Sequence, residues 1–148
     1  MRLLQERLQA RLAAALAAGG PPAAVRVCRD EAPAIAARVS RELGVSVGRT
    51  STRLRNPANA PPAWAAAAVQ ASRGKRLAEV ADAVFDLGGS VGFLRPIAVA
   101  KPCLGCHGSP ASLAPEVRGA LEKAYPSDRA TGYAAGDLRG FFWAEAER

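Results

Sequence analysis

Leu4, Leu8, Leu12 and Leu16 recur every four residues through a stretch that is otherwise alanine-rich and polar, which predicts an amphipathic helix over residues 2–18. Gly19, Gly20, Pro21 and Pro22 end it. A second helical pattern covers residues 23–43, with Val25, Cys28, Ile35, Val39 and Leu43 near one face and Pro33 bending or restarting the helix. Gly44 closes it, and residues 45–52 read as extended. Proline and asparagine at Asn56, Pro57, Asn59, Pro61 and Pro62 make residues 53–62 an ordered loop. Helical spacing returns over 63–73. A hairpin follows, with strands over 79–87 and 91–100 turning at Gly88-Gly89-Ser90. Residues 115–124 read as a short helix and 136–144 as a last strand. Helices flanking an antiparallel sheet make an α+β fold, with residues 1–20 as an N-terminal amphipathic helix and 21–148 as the domain proper.

A chain of 148 residues fits one domain, and 49% hydrophobic with 22% charged residues excludes a disordered tail. No run of about 18 apolar residues occurs, which excludes a spanning helix. The net charge is +7, and only three of the 20 basic residues are Lys (Lys75, Lys101 and Lys123). That arginine excess, beside so much alanine, reflects base composition rather than a nucleic-acid partner. Arg2, Glu6, Arg7 and Arg11 interrupt the N-terminal helix, so it is no secretory signal. Its leucine stripe is thin and lacks aromatic anchors, which favours packing on the domain, or on a second copy as a homodimer, over a membrane surface.

The chemistry concentrates in Cys103-Leu104-Gly105-Cys106-His107. Two thiols three positions apart can each form a thioether to one vinyl group of a haem, and the following histidine then falls beneath the iron. C-x-x-C-H is the attachment signature of c-type haem. Three alternatives stand beside it. A thioredoxin-like dithiol would need a continuing helix, which Gly108 and Pro110 oppose. A zinc site could draw on Cys28, Cys103, Cys106 and His107, although adjacent residues rarely reach one tetrahedral ion. A structural disulfide would leave one cysteine over.

The residue inventory restricts the iron's sixth ligand. His107 is the sole histidine and Met1 the sole methionine, so bis-His ligation within the chain is excluded and His/Met ligation is disfavoured. Cys28, a lysine, a tyrosine, water or an open position remain. Cys28 is either an inert buried thiol or a thiolate ligand. Thiolate donation would favour the ferric state and a low reduction potential.

Five ordered motifs complete the pattern. They are Arg49-Thr50-Ser51, Arg55-Asn56-Pro57-Ala58-Asn59, Cys103 to Gly108, Tyr125 to Tyr133, and Gly136-Asp137-Leu138-Arg139-Gly140. Together, over residues 25–143, they resemble a family of single-haem c-type cytochrome domains with a PAS-like fold, found alone or as bacterial extracytoplasmic sensor domains. The resemblance implies a covalent haem at Cys103 and Cys106, axial ligation by His107 and, on the opposite side, Cys28. It departs from that family at Trp64-Ala65, where many members carry an acidic residue after the aromatic one.

Haem propionates suit arginine forks, which makes Arg49, Arg53 and Arg55 candidates to bind them. Asn56 and Asn59 are expected to hold their loop, and Tyr125, Pro126 and Asp128 to form a capped turn. Phe93, Leu94, Ile97 and Trp64 either wall the porphyrin or pack in the core. The expected function is a redox- or gas-responsive sensor, with a low-potential electron carrier as the alternative and a redox partner or signalling protein implied. With both axial positions filled, no enzyme activity is expected. Haem attachment of this type implies the periplasm or a thylakoid lumen, hence a leader removed from the chain or a longer parent protein.

Overall fold

The computed structural model describes all residues from Met1 to Arg148. Helix α1 spans Arg2–Asp30 but is two helices in succession, because Gly19 (φ −154°) and Gly20 (φ 63°, ψ −166°) leave helical geometry between them. Gly20 takes a left-handed φ that few other residues tolerate, and Pro21 and Pro22 then occupy the first turn of the second segment, where their missing N–H groups cost nothing. The predicted stop is therefore a sharp break with immediate restart. The second predicted helix also divides. It pauses at Glu31, and α2 runs Ala32–Leu43 with Pro33 in its first turn and Gly44 (φ 65°) as a left-handed cap.

Strand β1 (Ser46–Thr50) follows, then the loop, which contains short 3-10 turns at Pro57–Asn59 and Ala63–Ala65. Helix α3 (Ala66–Ala71) is shorter than the 63–73 expected, its first turn being 3-10. The hairpin comprises β2 (Ala83–Asp86) and β3 (Ser90–Ala98). Its first strand starts late because Leu77–Glu79 forms another 3-10 turn, closed by Glu79 accepting from the Arg76 N–H at 2.7 Å. Helix α4 (Leu104–His107) and helix α5 (Pro115–Ala124) precede β4 (Leu138–Glu147), which starts two residues and ends three residues later than the expected 136–144. All strand pairs are antiparallel, in the order β1-β4-β3-β2. This α+β arrangement is consistent with a PAS-like fold.

Because β4 alternates side chains between faces, neighbouring Phe141 and Phe142 build two different cores. Phe142 packs with Val47, Ile35, Val39 and Leu4, while Phe141 packs with Leu94, Val69 and Ala65 under α3. Leu4 is fully buried, so the N-terminal helix is part of the domain core and not an appendage. Bidentate pairs from Arg7 to Glu42 and from Arg11 to Glu31 rivet its polar edge to α2 and the Glu31 pause. The leucine stripe fades along the helix, and Leu16 is largely exposed.

Candidate functional site

The break at Glu31 separates two sets of contacts that the sequence placed on one face. Ile35 and Val39 face the sheet, whereas Val25 joins Leu113, Val117, Leu121 and Tyr125 of the α5 region, and Cys106 packs against that cluster. Cys28 lies one turn after Val25 on the same helix and is half-buried, close enough to Cys106, Arg49 and Tyr125 to interact with them electrostatically. All three cysteines are free thiols. No group of three or more His, Cys, Asp and Glu side chains comes together as a metal-ion set.

Cys103 ends a 3-10 turn and caps α4, a helix of four residues that stops at Gly108, as the following glycine and proline require. That single turn presents Cys103, Cys106 and His107 together. The backbone of His107 and Gly108 is clamped by the segment after α5. Tyr133 N–H donates to the His107 carbonyl at 2.9 Å, and Gly132 N–H to the Gly108 carbonyl at 2.7 Å. The imidazole is oriented as well, with Nδ1 at 2.6 Å from the carbonyl oxygen of Ala130. A carbonyl only accepts, so Nδ1 carries the proton and Nε2 keeps a free lone pair. Burial, followed by the charges of Arg139 and Arg55, pushes the His107 pKa down to about 3, which holds the ring neutral.

The arginines divide by what they touch. Arg55 is committed internally. Its Nε pairs with Asp128 at 2.9 Å between two largely buried side chains, and its Nη2 donates to the carbonyls of Cys106 (2.5 Å) and Ala130 (3.3 Å). Asp128 in turn accepts from the Ala130 N–H at 2.7 Å, the capped turn expected there. Arg53 lies over the Tyr133 ring at 4.1 Å with Nε on the Arg129 carbonyl at 3.1 Å. Arg49 makes no hydrogen bond or ion pair. Arg139, which sequence reasoning missed, lies at 5.5 Å over the same Tyr133 ring and donates to the Arg53 carbonyl at 3.3 Å. Its signal was its place in the Gly136–Gly140 motif, which carried no separate chemical reading.

Other candidates lie elsewhere. Lys75, Lys101 and Lys123 are all exposed, and Tyr125, whose pKa burial pushes up to about 12, stays a neutral phenol. Trp64 stacks at 5.4 Å on Phe85, lies close over Gly92 and donates to Glu145 at 2.9 Å, while Leu94 is interior to the α3 core. The apolar surroundings of the cysteine motif are instead Val25, Leu113 and Tyr125 on the Cys106 side, and Val99, Ala130 and Tyr133 on the Cys103 side. Asn56 caps the first 3-10 turn by accepting from the Ala58 N–H at 3.0 Å.

Free thiols, a neutral imidazole with Nε2 available, and guanidiniums without carboxylate partners form a donor set that fits a porphyrin bearing two carboxylates. Among solved structures, the chain is similar to the cyanobacterial heme-protein Tll0287, with a TM-score of 0.65 and 26% identity over 79% of this chain and 70% of that one. No curated protein sequence matches it. The family model described as Tll0287-like matches residues 2–145, nearly the whole length, and the chain therefore belongs to the Tll0287-like family.

Proposed function

We propose that this protein carries a haem joined by thioethers to Cys103 and Cys106, with His107 as one axial ligand and Cys28 as the other, and that it works as a redox- or gas-responsive sensor module. The observation that carries the reading is the His107–Ala130 contact at 2.6 Å, which fixes the tautomer and ring plane that an axial ligand needs. Membership of the Tll0287-like family, and similarity to a cyanobacterial haem protein, support it.

When bound, the haem supplies a redox-active iron whose axial contacts depend on its oxidation state. The chain's own residues would hold that iron between two kinds of support. His107 is clamped on the ring side by Ala130 and along its backbone by Tyr133. Cys28, by contrast, projects from the second segment of α1, three residues before the pause at Glu31. The lysines are all exposed and Tyr125 is a neutral phenol, so Cys28 is favoured over them, with Tyr133, water and an open position as the other candidates. Release or tightening at Cys28 would bear on α1 and, through Glu31, on α2. That coupling is the mechanical basis of the sensor reading.

An electron carrier is the second reading, favoured by one observation. Gly105 is exposed and its neighbours in the motif only half-buried, which would leave a porphyrin edge accessible. With both axial positions used, the proposal includes no catalysis. Thioether attachment also assigns the protein to the periplasm or a lumenal compartment, which fractionation of the native cell would test.

The deciding experiment is an absorption spectrum, oxidised and reduced, of chain made with haem-attachment machinery, followed by acid–acetone extraction. Haem that stays on the polypeptide is expected, with a near-infrared thiolate band that disappears in Cys28→Ser. A colourless product overturns the reading, and an unchanged spectrum in Cys28→Ser removes the thiolate ligand.

A further inference from the structure

The site holds more positive charge than the haem-ligand assignments use. Of the four arginines that converge there, only Arg55 has a carboxylate, Asp128. Arg49 projects from β1 near Cys28 and Tyr125 with no hydrogen-bond acceptor at all, and burial lowers its pKa. Arg139 donates to the Arg53 carbonyl at 3.3 Å and is hydrogen-bonded to the Tyr133 side chain, has no carboxylate partner, and faces Arg55 and His107. Burial lowers its pKa too, and the charges of Arg55 and Arg49 lower it further. Arg53 sits closer to the aromatic face, 4.1 Å from the Tyr133 centroid, and has its own backbone acceptor. Like charges gathered in a half-buried volume without counter-ions oppose folding, and an arriving anion reverses that sign. The planar guanidinium fork matches a carboxylate with two parallel hydrogen bonds.

Resting on the haem reading, we propose that Arg49 and Arg139 are the residues that bind the two propionate carboxylates of the porphyrin, while Arg55 and Arg53 serve the protein's own framework. Arg55 braces the carbonyls of Cys106 and Ala130, so it positions the attachment loop without touching the cofactor. Arg53 stacks on Tyr133, which fixes the segment that clamps His107. Arg49 and Arg139 stand on β1 and β4 of the sheet, a rigid base for carboxylate recognition. They also keep the propionates ionised beside the iron, so the reduction potential of the loaded protein is insensitive to pH in the neutral range.

The test measures the potential from pH 5 to 8 in the full chain with haem attached, for the parent, Arg49→Gln, Arg139→Gln and the exposed control Arg129→Gln. The parent and the control are expected to be flat. Each of the other two is expected to fall with rising pH, because a propionate deprived of its guanidinium titrates in that range, and Arg139→Lys is expected to restore most of the flatness. Thermal unfolding supplies a second readout. Arg49→Gln and Arg139→Gln should lower the midpoint of the loaded chain and raise that of chain made without haem, where they relieve repulsion. Flat profiles in both Gln variants, or midpoints that move the same way with and without haem, overturn the propionate assignment. A parent chain that attaches no haem fails the function reading instead, and the two failures are distinguishable at the first spectrum.

Discussion

Arg55 donates to the carbonyl of Cys106 at 2.5 Å while pairing with Asp128 at 2.9 Å, so one side chain ties the cysteine motif to the turn that orients His107. The pair is largely buried, with the two side chains 10% and 11% exposed. Removing either partner leaves the other as an uncompensated interior charge, which costs about 3–5 kcal/mol. Asp128→Ala should show that loss in urea unfolding and, because it also removes the cap on the Ala130 N–H, should yield a mixture of iron spin states once haem is attached. Arg55→Met with Asp128→Leu removes both charges and should be much less destabilising than either single change. Equal losses in the double and single variants would mean that the ion pair is not what holds the loop.

How much of this was legible beforehand can be judged at the same loop. The cysteine motif, the turn at Asp128 and the cap at Asn56 are local features, set by residues a few positions apart, and the sequence displays them directly. The use of Arg55 is not local. Its partners are 51 to 75 residues away, and nothing in its spacing separates it from Arg49, which ends with no partner. The helix pause at Glu31 was signalled by Pro33, yet its consequence, that Val25 and Ile35 join different cores, depends on how α5 and the sheet approach α1 and α2. Trp64 and Leu94 were ambiguous for the same reason, since apolar character does not say which side of a sheet a residue will face.

Leu4 extends the argument to the N-terminal helix. It is fully buried against Ile35, Val39, Val47 and Phe142, on the face of the sheet that α1 and α2 cover. Leu4→Ala should therefore cost about 2–5 kcal/mol, the range for a truncated core leucine. Leu16→Ala, at a position 43% exposed, should change stability by less than about 0.5 kcal/mol. Comparable losses at the two positions would place the stripe in an interface between copies, and analytical ultracentrifugation would then report a dimer.

The buried imidazole gives the haem-free chain a pH dependence of known sign. The pKa of His107 is lowered to about 3 in the folded chain, chiefly by burial and then by Arg139 and Arg55, from an ordinary value of 6.5. The unfolded chain therefore binds the proton first, and stability falls as the pH drops from about 6.5 toward 3. Each pH unit within that window is worth about 1.4 kcal/mol, so roughly 2 kcal/mol should be lost between pH 7 and pH 5. Urea unfolding at the two pH values measures it, and His107→Gln should remove most of the difference.

Two glycines in and beside the cysteine motif should respond in opposite ways to alanine. Gly105 lies inside α4, and a methyl group there meets nothing within 4 Å. Gly105→Ala should be neutral or stabilising by up to about 1 kcal/mol, from helix propensity and reduced freedom of the unfolded chain. Gly108 caps the same helix, and a Cβ on it would sit 2.6 Å from the Leu104 carbonyl oxygen. That oxygen is backbone and already accepts the Gly108 N–H at 2.9 Å, so relief requires the main chain to move. The same residue's carbonyl accepts from Gly132, and the displacement would pass directly to the clamp on His107. Gly108→Ala should thus cost about 1–3 kcal/mol, the usual range for overpacking, and lower the yield of attached haem. Parallel thermal melts and haem-to-protein absorbance ratios of the two variants check the contrast. A Gly108→Ala chain with the parent's melt and ratio would mean that the motif tolerates a shifted histidine, and that the Ala130 contact is not what orients the ring.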